Sequence, residues 1–348
     1  MTAPAPAEQF DRAAVQSEVH TSIVNSDWWQ NLSPVRQELY GIELSRIDDA
    51  ITWSELEIRF ASAKASTAMR AAACPGYPAN PAGDVILNTQ ADVNAFGALK
   101  CKEIVGELLI EDLGTDPICD LTPLKGLKKI GSSLTIDAGC LTSLAGLEKL
   151  KSVGELGPFG FVGILGANLV DIEALAKLST VTGSINIIAC DQLTSVTCAF
   201  SQVTTIESGK TAVPLTSIFV LNISDNPVLT DLSAFSNLTH IEGGLRILFN
   251  GAIADLDDFS GLNTIGDRIW LIENTSLQHV NELSNITALA GDLLVYDNPA
   301  LTQCCGLYNL VCSNPPGCTS PGAAGIVFID NNGAGCTVTD IITNGACP

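Results

Sequence analysis

The sequence predicts a mainly β protein whose strands stack in parallel as a β-solenoid, preceded by a helical segment. Three observations support this prediction. Apolar and polar residues alternate over short segments, an asparagine follows each segment, and the whole pattern recurs about every 24 residues. One such unit cannot bury its own apolar side chains, whereas stacked units bury them against one another.

Residues 1–73 precede the repeats and form the first predicted domain. Their apolar residues have helix-like spacing, and Ser33 followed by Pro34 is typical of a helix start. Trp28 and Trp29 lie in the middle of this segment, which we expect either to pack against the end of the repeats or to mediate assembly. The Pro/Gly-rich stretch at Cys74 marks the boundary with the second domain, residues 74–348.

The strands of the second domain should direct every other side chain inward. The inward pairs predicted for the last four strands are Leu245 and Ile247, Ile269 and Leu271, Leu293 and Val295, and Ile326 and Phe328. A second apolar set recurs every three residues between strands and should also be buried. It comprises Leu121, Leu124, Leu127 and Ile130; Leu144, Leu147, Leu150 and Val153; Leu232, Phe235, Leu238 and Ile241; and Leu256, Phe259, Leu262 and Ile265.

An asparagine column follows the strands and predicts a structural ladder. Its amides should pair backbone groups of neighbouring repeats that would otherwise be buried without a partner. The ladder residues are Asn226, Asn250, Asn274, Asn298 and Asn331. Gly139, Gly166 and Cys190 take the same place in earlier repeats.

Two further columns have structural interpretations. Asp or Ser precedes the first leucine of most repeats and is suited to capping a helical turn, and His279 falls in this column. Glycine or asparagine at one shared position predicts a positive φ. That position holds Gly126, Gly146, Asn237, Gly261 and Asn285.

Twelve cysteines, an even number, predict structural disulfides in an oxidising compartment. Zinc binding is the alternative, but it requires closely spaced cysteine pairs that are scarce here. The candidates are Cys74, Cys101, Cys119, Cys140, Cys190, Cys198, Cys304, Cys305, Cys312, Cys318, Cys336 and Cys347. The cluster from about residue 304 predicts a disulfide-bonded C-terminal cap.

The charge balance excludes two classes of partner. A formal net charge of -21 would repel nucleic acid and anionic membrane surfaces. No apolar run is long enough to insert into a membrane. Residues 203–348 contain only Lys210, Arg246 and Arg268 as cations, so a charge-steered partner should be cationic. The disulfides predict an extracellular or cell-surface location, although the numbered sequence does not begin with a signal peptide pattern.

The outward side of the last strands is the candidate binding surface. An apolar patch on an acidic protein is typical of a surface that something covers: a partner molecule, a second copy, or the N-terminal segment. The candidate interface residues are Arg246, Leu248, Trp270, Ile272, Leu294, Tyr296, Val327 and Ile329, together with Trp28 and Trp29.

No catalytic motif is present, and we expect neither an enzyme nor a cofactor. The alternative of a calcium site would use a carboxylate column, Asp225, Glu273, Asp297 and Asp330, which Phe249 interrupts. Asn31 and Asn222 are candidate glycosylation sites, because the ladder and turn columns account for the asparagines of the other sequons.

The repeats resemble the receptor L-domain branch of leucine-rich-repeat-like proteins. The resemblance rests on "LSAFSNLTHIEGGLRILFN", "LTPLKGLKKIGSSLTID" and the closing "GIVFIDNNGAGCTVTDI", and it covers about residues 74–347. It implies a right-handed solenoid whose flat faces bind proteins or sugars, and no catalytic residues. We therefore expect a non-enzymatic extracellular structural or adhesion protein, of which a self-assembling filament or surface layer is one form. The alternative is a glycan- or ligand-recognition module.

Overall fold

The computed structural model describes residues 83–112, 115–155, 160–166, 168–207, 220–312, 318 and 321–347. All of these belong to the predicted second domain. The predicted N-terminal helices lie outside the described residues, as do Trp28, Trp29, Asn31 and Cys74.

Parallel β-structure dominates the described residues. In chain order the strands are β1 (Val85–Leu87), β2 (Glu103–Ile104), β3 (Leu108–Glu111), β4 (Lys129–Ile130), β5 (Leu134–Asp137), β6 (Ser152–Val153), β7 (Gly160–Leu165), β8 (Thr180–Val181), β9 (Gly183–Ile188), β10 (Thr205–Ile206), β11 (Val220–Ser224), β12 (His240–Ile241), β13 (Gly244–Leu248), β14 (Thr264–Ile265), β15 (Ile269–Ile272), β16 (Leu293–Tyr296) and β17 (Val327–Asp330). Ten of them form one sheet in the order β1-β3-β5-β7-β9-β11-β13-β15-β16-β17, and the two-residue strands form a second sheet, β2-β4-β6-β8, and a third, β10-β12-β14. Each strand pairs in parallel with its neighbours, which confirms a long parallel stack.

Helices are few and short in the part of the chain that the structure describes. The α-helices are α1 (Gln90–Ala98), α2 (Tyr308–Val311) and α3 (Val338–Asn344), and 3-10 helices span Thr122–Leu124, Glu173–Leu175, Ser233–Phe235, Asp257–Phe259, Asn281–Asn285 and Cys305–Leu307. The Thr89 hydroxyl caps α1, and Thr337 with Asp340 forms a capping box on α3. None of the helices among the described residues has the length and hydropathy needed to cross a lipid bilayer.

The core lies between the long sheet and the 3-10 turns. The inward residues of β13, β15 and β16 are buried, as is the whole second apolar set. Three phenylalanine rings from successive repeats stack in this core, with centroids 5.6 Å apart for Phe200 and Phe235 and 5.9 Å apart for Phe235 and Phe259. The repeat length therefore brings equivalent apolar residues into direct contact.

The asparagine ladder runs along one edge of this core, and its four members from Asn226 to Asn298 are completely buried. Each side-chain oxygen accepts from the main-chain N–H at the same position of the preceding repeat. The Asn250 N–H donates to Asn274 Oδ1 at 3.2 Å, and the Asn274 N–H donates to Asn298 Oδ1 at 2.9 Å. Each side-chain NH₂ donates to a carbonyl of the preceding repeat, as Asn274 Nδ2 does to Ile247 at 2.8 Å. The amides thus pair backbone groups that no strand partner reaches.

The last repeat differs from the prediction by one residue. Asn332, and not Asn331, continues the ladder, because its Oδ1 accepts from the Asn298 N–H at 3.2 Å. Leu293 pairs with Val327 and Val295 with Ile329, so the predicted inward residues of this strand are also wrong. Ile326 is 60% exposed and Phe328 44% exposed, whereas Ile329 is buried. Val327 and Ile329 therefore point inward, and the prediction that they lie on the outward face is wrong.

The positive φ values occur at a different column from the predicted one. Of the five predicted positions only Gly146 has a positive φ, 116°. The left-handed residues are those just before the ladder, with φ from 52° to 60°: Asp225, Phe249, Glu273, Asp297 and Asn331. The predicted column is instead a close contact with the preceding repeat, because a Cβ on Gly261 would lie 3.3 Å from the Ser236 oxygen and the Asn237 amide donates to Ser201 at 2.9 Å.

Disulfides link most of the described cysteines. The pairs are Cys119–Cys140, Cys304–Cys336, Cys305–Cys347 and Cys312–Cys318, and Cys101 is also disulfide-bonded. Three of these pairs lie in the C-terminal segment, as predicted for the cap. They tie α3 and the chain end to the last repeats.

Cys190 and Cys198 are free thiols, so the disulfide prediction is wrong for both. Cys190 occupies a ladder position, where its N–H donates to Asn226 Oδ1 at 3.1 Å and its thiol lies 3.5 Å from the Ile188 oxygen. Burial raises the pKa of this thiol to about 12. The neutral thiol donates to a main-chain oxygen, as the asparagine side chains of the ladder do. It is completely buried in the core and forms no disulfide.

Candidate functional site

The outward face of the long sheet carries the predicted interface residues, and the strand register aligns them. Arg246 of β13, Trp270 of β15, Leu294 of β16 and Phe328 of β17 form one row across the sheet. Leu248, Ile272, Tyr296 and Asp330 form the next row. Phe328 lies on the outward face, although the sequence predicts that it points inward. The predicted inward residues of β17 are each one position too early.

Trp270, Ile272 and Leu248 are buried, which corrects the prediction that they point into solvent. Trp270 is only 2% exposed. Part of its cover is cationic, since the guanidinium carbons of Arg246 and Arg268 lie 4.9 Å and 5.4 Å from the centre of its ring. An indole ring between two guanidinium groups is stabilised by cation–π attraction, and more so when water is excluded.

Arg268 reaches the ring by crossing the surface of β13. A Cβ on Gly244 would lie 2.6 Å from Arg268 Cγ, so the glycine leaves the space that this side chain occupies. The Arg268 Nε donates to Asp267 Oδ2 at 2.5 Å, and both side chains are about nine-tenths buried. A buried guanidinium requires such a partner to offset its lost hydration.

The outward face opens towards β17. Leu294 and Tyr296 are half-buried, and Phe328 is exposed. The Tyr296 and Phe328 rings meet edge to face, with centroids 5.5 Å apart. We call Leu294, Tyr296 and Phe328 the aromatic end patch. It combines two residues of the predicted interface, Leu294 and Tyr296, with Phe328, which the prediction lacks.

The described surface of residues 220–347 is acidic around this patch. Arg246 and Arg268 are the two arginines of that stretch, and both guanidinium groups lie over Trp270. Asp330 is exposed beside Tyr296, its neighbour on β16. A partner that approaches the aromatic end patch therefore meets apolar rings within a negative field.

The four carboxylates proposed for calcium do not all lie in one column. Asp225, Glu273 and Asp297 occupy the left-handed turn before the ladder, and Asp330 belongs to β17 instead of this column. Among the described residues, the group of side chains that converges well enough to hold a metal ion is Asp255, Asp257 and His279. In the column, Phe249 separates Asp225 from Glu273, whereas Glu273 and Asp297 belong to successive repeats.

Asn222 is a poor glycosylation site, which corrects the second sequon prediction. It lies in the middle of β11, is only 9% exposed, and its Oδ1 accepts from the Ser224 hydroxyl at 2.6 Å. Ser224 is the sequon serine and is itself buried. An acceptor asparagine must be accessible, and here the strand occupies both polar residues of the sequon.

The Asp231 carboxylate of the capping column accepts hydrogen bonds from three neighbouring residues. Its Oδ2 accepts from the Ser195 hydroxyl at 2.8 Å and the Thr197 hydroxyl at 2.5 Å, and its Oδ1 accepts from the Ser233 N–H at 2.8 Å. Burial acts to raise the pKa of Asp231, but hydrogen bonds from Thr197, Ser233 and Ser195 outweigh it and lower the pKa to about 2. This carboxylate is a cap that joins two repeats.

No protein-family model matches this chain, and no curated protein sequence matches it either. The proposed function therefore rests on the geometry of the described residues.

Proposed function

We propose that this chain is a non-enzymatic extracellular structural or adhesion protein that makes protein contacts through the outward face of its long sheet. The proposal includes a right-handed solenoid architecture of receptor L-domain type, with repeats of about 24 residues. The long parallel stack, the buried asparagine ladder and the disulfide-linked C-terminal segment support it. Disulfides are typical of proteins that work in an oxidising compartment.

The aromatic end patch is the observation that carries the contact function. Phe328 is 44% exposed and Tyr296 is half-buried, so covering both removes on the order of 100–150 Å² from water, a fraction of the 150–250 Å² of each whole side chain. This burial is worth about 3–4 kcal/mol at about 25 cal/mol per Å². The patch lies on the last two strands of the sheet, β16 and β17. We propose that copies of the chain contact one another there, as subunits of a filament or surface layer.

The experiment compares three full-length proteins by light scattering and negative-stain microscopy. These are the wild type, Phe328→Glu and the control Val170→Glu, whose wild-type side chain is 50% exposed but lies away from the patch. We expect the wild type and the control to associate and Phe328→Glu to remain monomeric. If all three are equally monomeric, self-assembly is wrong.

Recognition of a glycan is the second candidate function, and the aromatic pair of Tyr296 and Phe328 is what favours it. Sugar sites use exposed aromatic rings beside hydrogen-bonding groups, which here would include the Asp330 carboxylate. Binding of the monomeric protein to a glycan array, lost in Phe328→Glu and retained in Val170→Glu, would support this alternative.

A further inference from the structure

The capping column changes chemistry in the repeats after Asp231. Its next members are Asp255 and His279, and they approach Asp257 of the 3-10 helix Asp257–Phe259 and Glu282 of the 3-10 helix Asn281–Asn285. We call these four residues the 279 corner. One ligand atom each from Asp255, Asp257 and His279 lie within 4.8 Å of one another. Two successive repeats therefore contribute potential metal ligands to one place.

The histidine lies between two carboxylates without a proper hydrogen bond to either. His279 Nδ1 is 3.7 Å from Asp257 Oδ1 and 3.5 Å from Glu282 Oε2. Both distances exceed the usual 2.7–3.2 Å of a hydrogen bond. His279 Nδ1 and Glu282 Oε2 are shielded from solvent and have no hydrogen-bond partner. Two ligands bound at 2.0–2.2 Å to one tetrahedral metal ion lie about 3.4 Å apart, so the 3.5 Å between these two atoms fits a shared ion.

The comparison with Asp231 shows what the 279 corner lacks. At Asp231 two hydroxyls and a main-chain N–H donate to one carboxylate. At the 279 corner three carboxylates converge, and the one hydrogen bond to Asp255 comes from the Asp257 N–H at 3.2 Å. The guanidinium groups of Arg246 and Arg268 lie over Trp270. The same column is thus satisfied internally in one repeat and is short of positive charge in the next.

We propose that the 279 corner binds a divalent transition metal ion of the zinc class, with Asp255, Asp257 and His279 as ligands and Glu282, whose Oε2 is 3.5 Å from His279 Nδ1, completing the set. An imidazole nitrogen with carboxylate oxygens is a donor set that zinc accepts, usually with four ligands. The nitrogen ligand disfavours calcium and magnesium, which prefer oxygen donors. The ion would bridge two successive repeats, and it would stabilise the folded protein by an amount that rises with the logarithm of its concentration above the Kd.

The test uses the full-length protein freed of metal with a chelator, with the exposed thiol of Cys198 alkylated to remove a competing ligand. Zinc chloride is titrated by calorimetry into the wild type, His279→Gln, Glu282→Gln and the control His240→Gln. We expect zinc to bind the wild type and His240→Gln equally and to bind the other two at least about tenfold more weakly, since even loss of an outer-sphere partner costs 10–100-fold. Calcium chloride should bind all four proteins poorly.

A second measurement on the wild type needs no variant. Diethyl pyrocarbonate modifies accessible histidine nitrogens, and zinc should protect His279 while His240 still reacts, as mapped by mass spectrometry. Equal zinc affinity in all four proteins, or no protection of His279, would overturn the proposal. The outcome is separate from self-assembly, which the variants at Phe328 test.

Discussion

Replacing Asn274 with alanine tests the buried ladder most directly. The change removes the acceptor of the Asn250 N–H, at 3.2 Å, and the donor to the Ile247 oxygen, at 2.8 Å. It also removes two side-chain amide contacts of 3.3 Å, to Asn250 and Asn298. Leaving the buried Asn250 N–H without an acceptor costs about 1–3 kcal/mol, and the loss of a donor to the Ile247 carbonyl adds to this. We therefore expect the free energy of unfolding to fall by roughly 2–4 kcal/mol.

The assay is urea denaturation of Asn274→Ala and of the control Asn263→Ala. The control asparagine is exposed, and the one side-chain contact that its oxygen makes in the described structure is with the hydroxyl of Thr264 at 3.1 Å. Its change in stability should stay within about 0.5 kcal/mol. The unfolding midpoint of Asn274→Ala should fall at an unchanged slope. Equal midpoints for the two variants would refute the ladder as a source of stability.

Three further outcomes follow from the structure. Iodoacetamide should label Cys198 in the native protein and Cys190 only after unfolding, since burial raises the Cys190 pKa to about 12; equal native labelling by mass spectrometry would contradict this. Asp231→Asn should be less stable than the wild type at neutral pH, because the folded-state pKa of Asp231 is lowered. The difference in unfolding midpoint should shrink as the pH falls from about 3.8 towards 2 and the carboxylate becomes protonated. A difference that stays constant with pH would mean that the fold does not stabilise the charged form of this carboxylate. Phe235→Ala should cost about 3–5 kcal/mol in urea denaturation; a cost below about 1 kcal/mol would show that the ring is not packed in the stack.

The strand pattern and the ladder could be predicted because each rests on a strict period. Alternation in Leu245–Ile247 or Leu293–Val295 and a constant spacing of asparagines leave one consistent register. The last repeat lost that constraint, since a cysteine-bearing insertion precedes it and two adjacent asparagines, Asn331 and Asn332, both fit the column. A slip of one residue exchanges the two faces of a strand, which is why Val327 and Phe328 were assigned to the wrong sides.

Burial of the outward face could not be predicted from the same pattern. Alternation shows which residues share a side of the sheet, but the position of Arg268 over Trp270 depends on space left by Gly244 in the neighbouring strand. The 279 corner depends on contacts between repeats in the same way. A histidine in a column of capping aspartates, with Glu282 three residues later, was a signal that could have been used.

The direction of the asparagine hydrogen bonds has a consequence for how this protein can grow. Each rung receives a donor from the repeat before it and gives its own N–H to the repeat after it. A duplicated copy of residues 251–274 would therefore find partners ready on both sides, with no change to the interior. Gene duplication in multiples of 24 residues can lengthen such a molecule, and longer repeats also keep the chain of donors, as the rungs 36 residues apart at Cys190 and Asn226 and 34 apart at Asn298 and Asn332 show. The disulfide-linked segment from Cys304 onwards fixes where that growth stops.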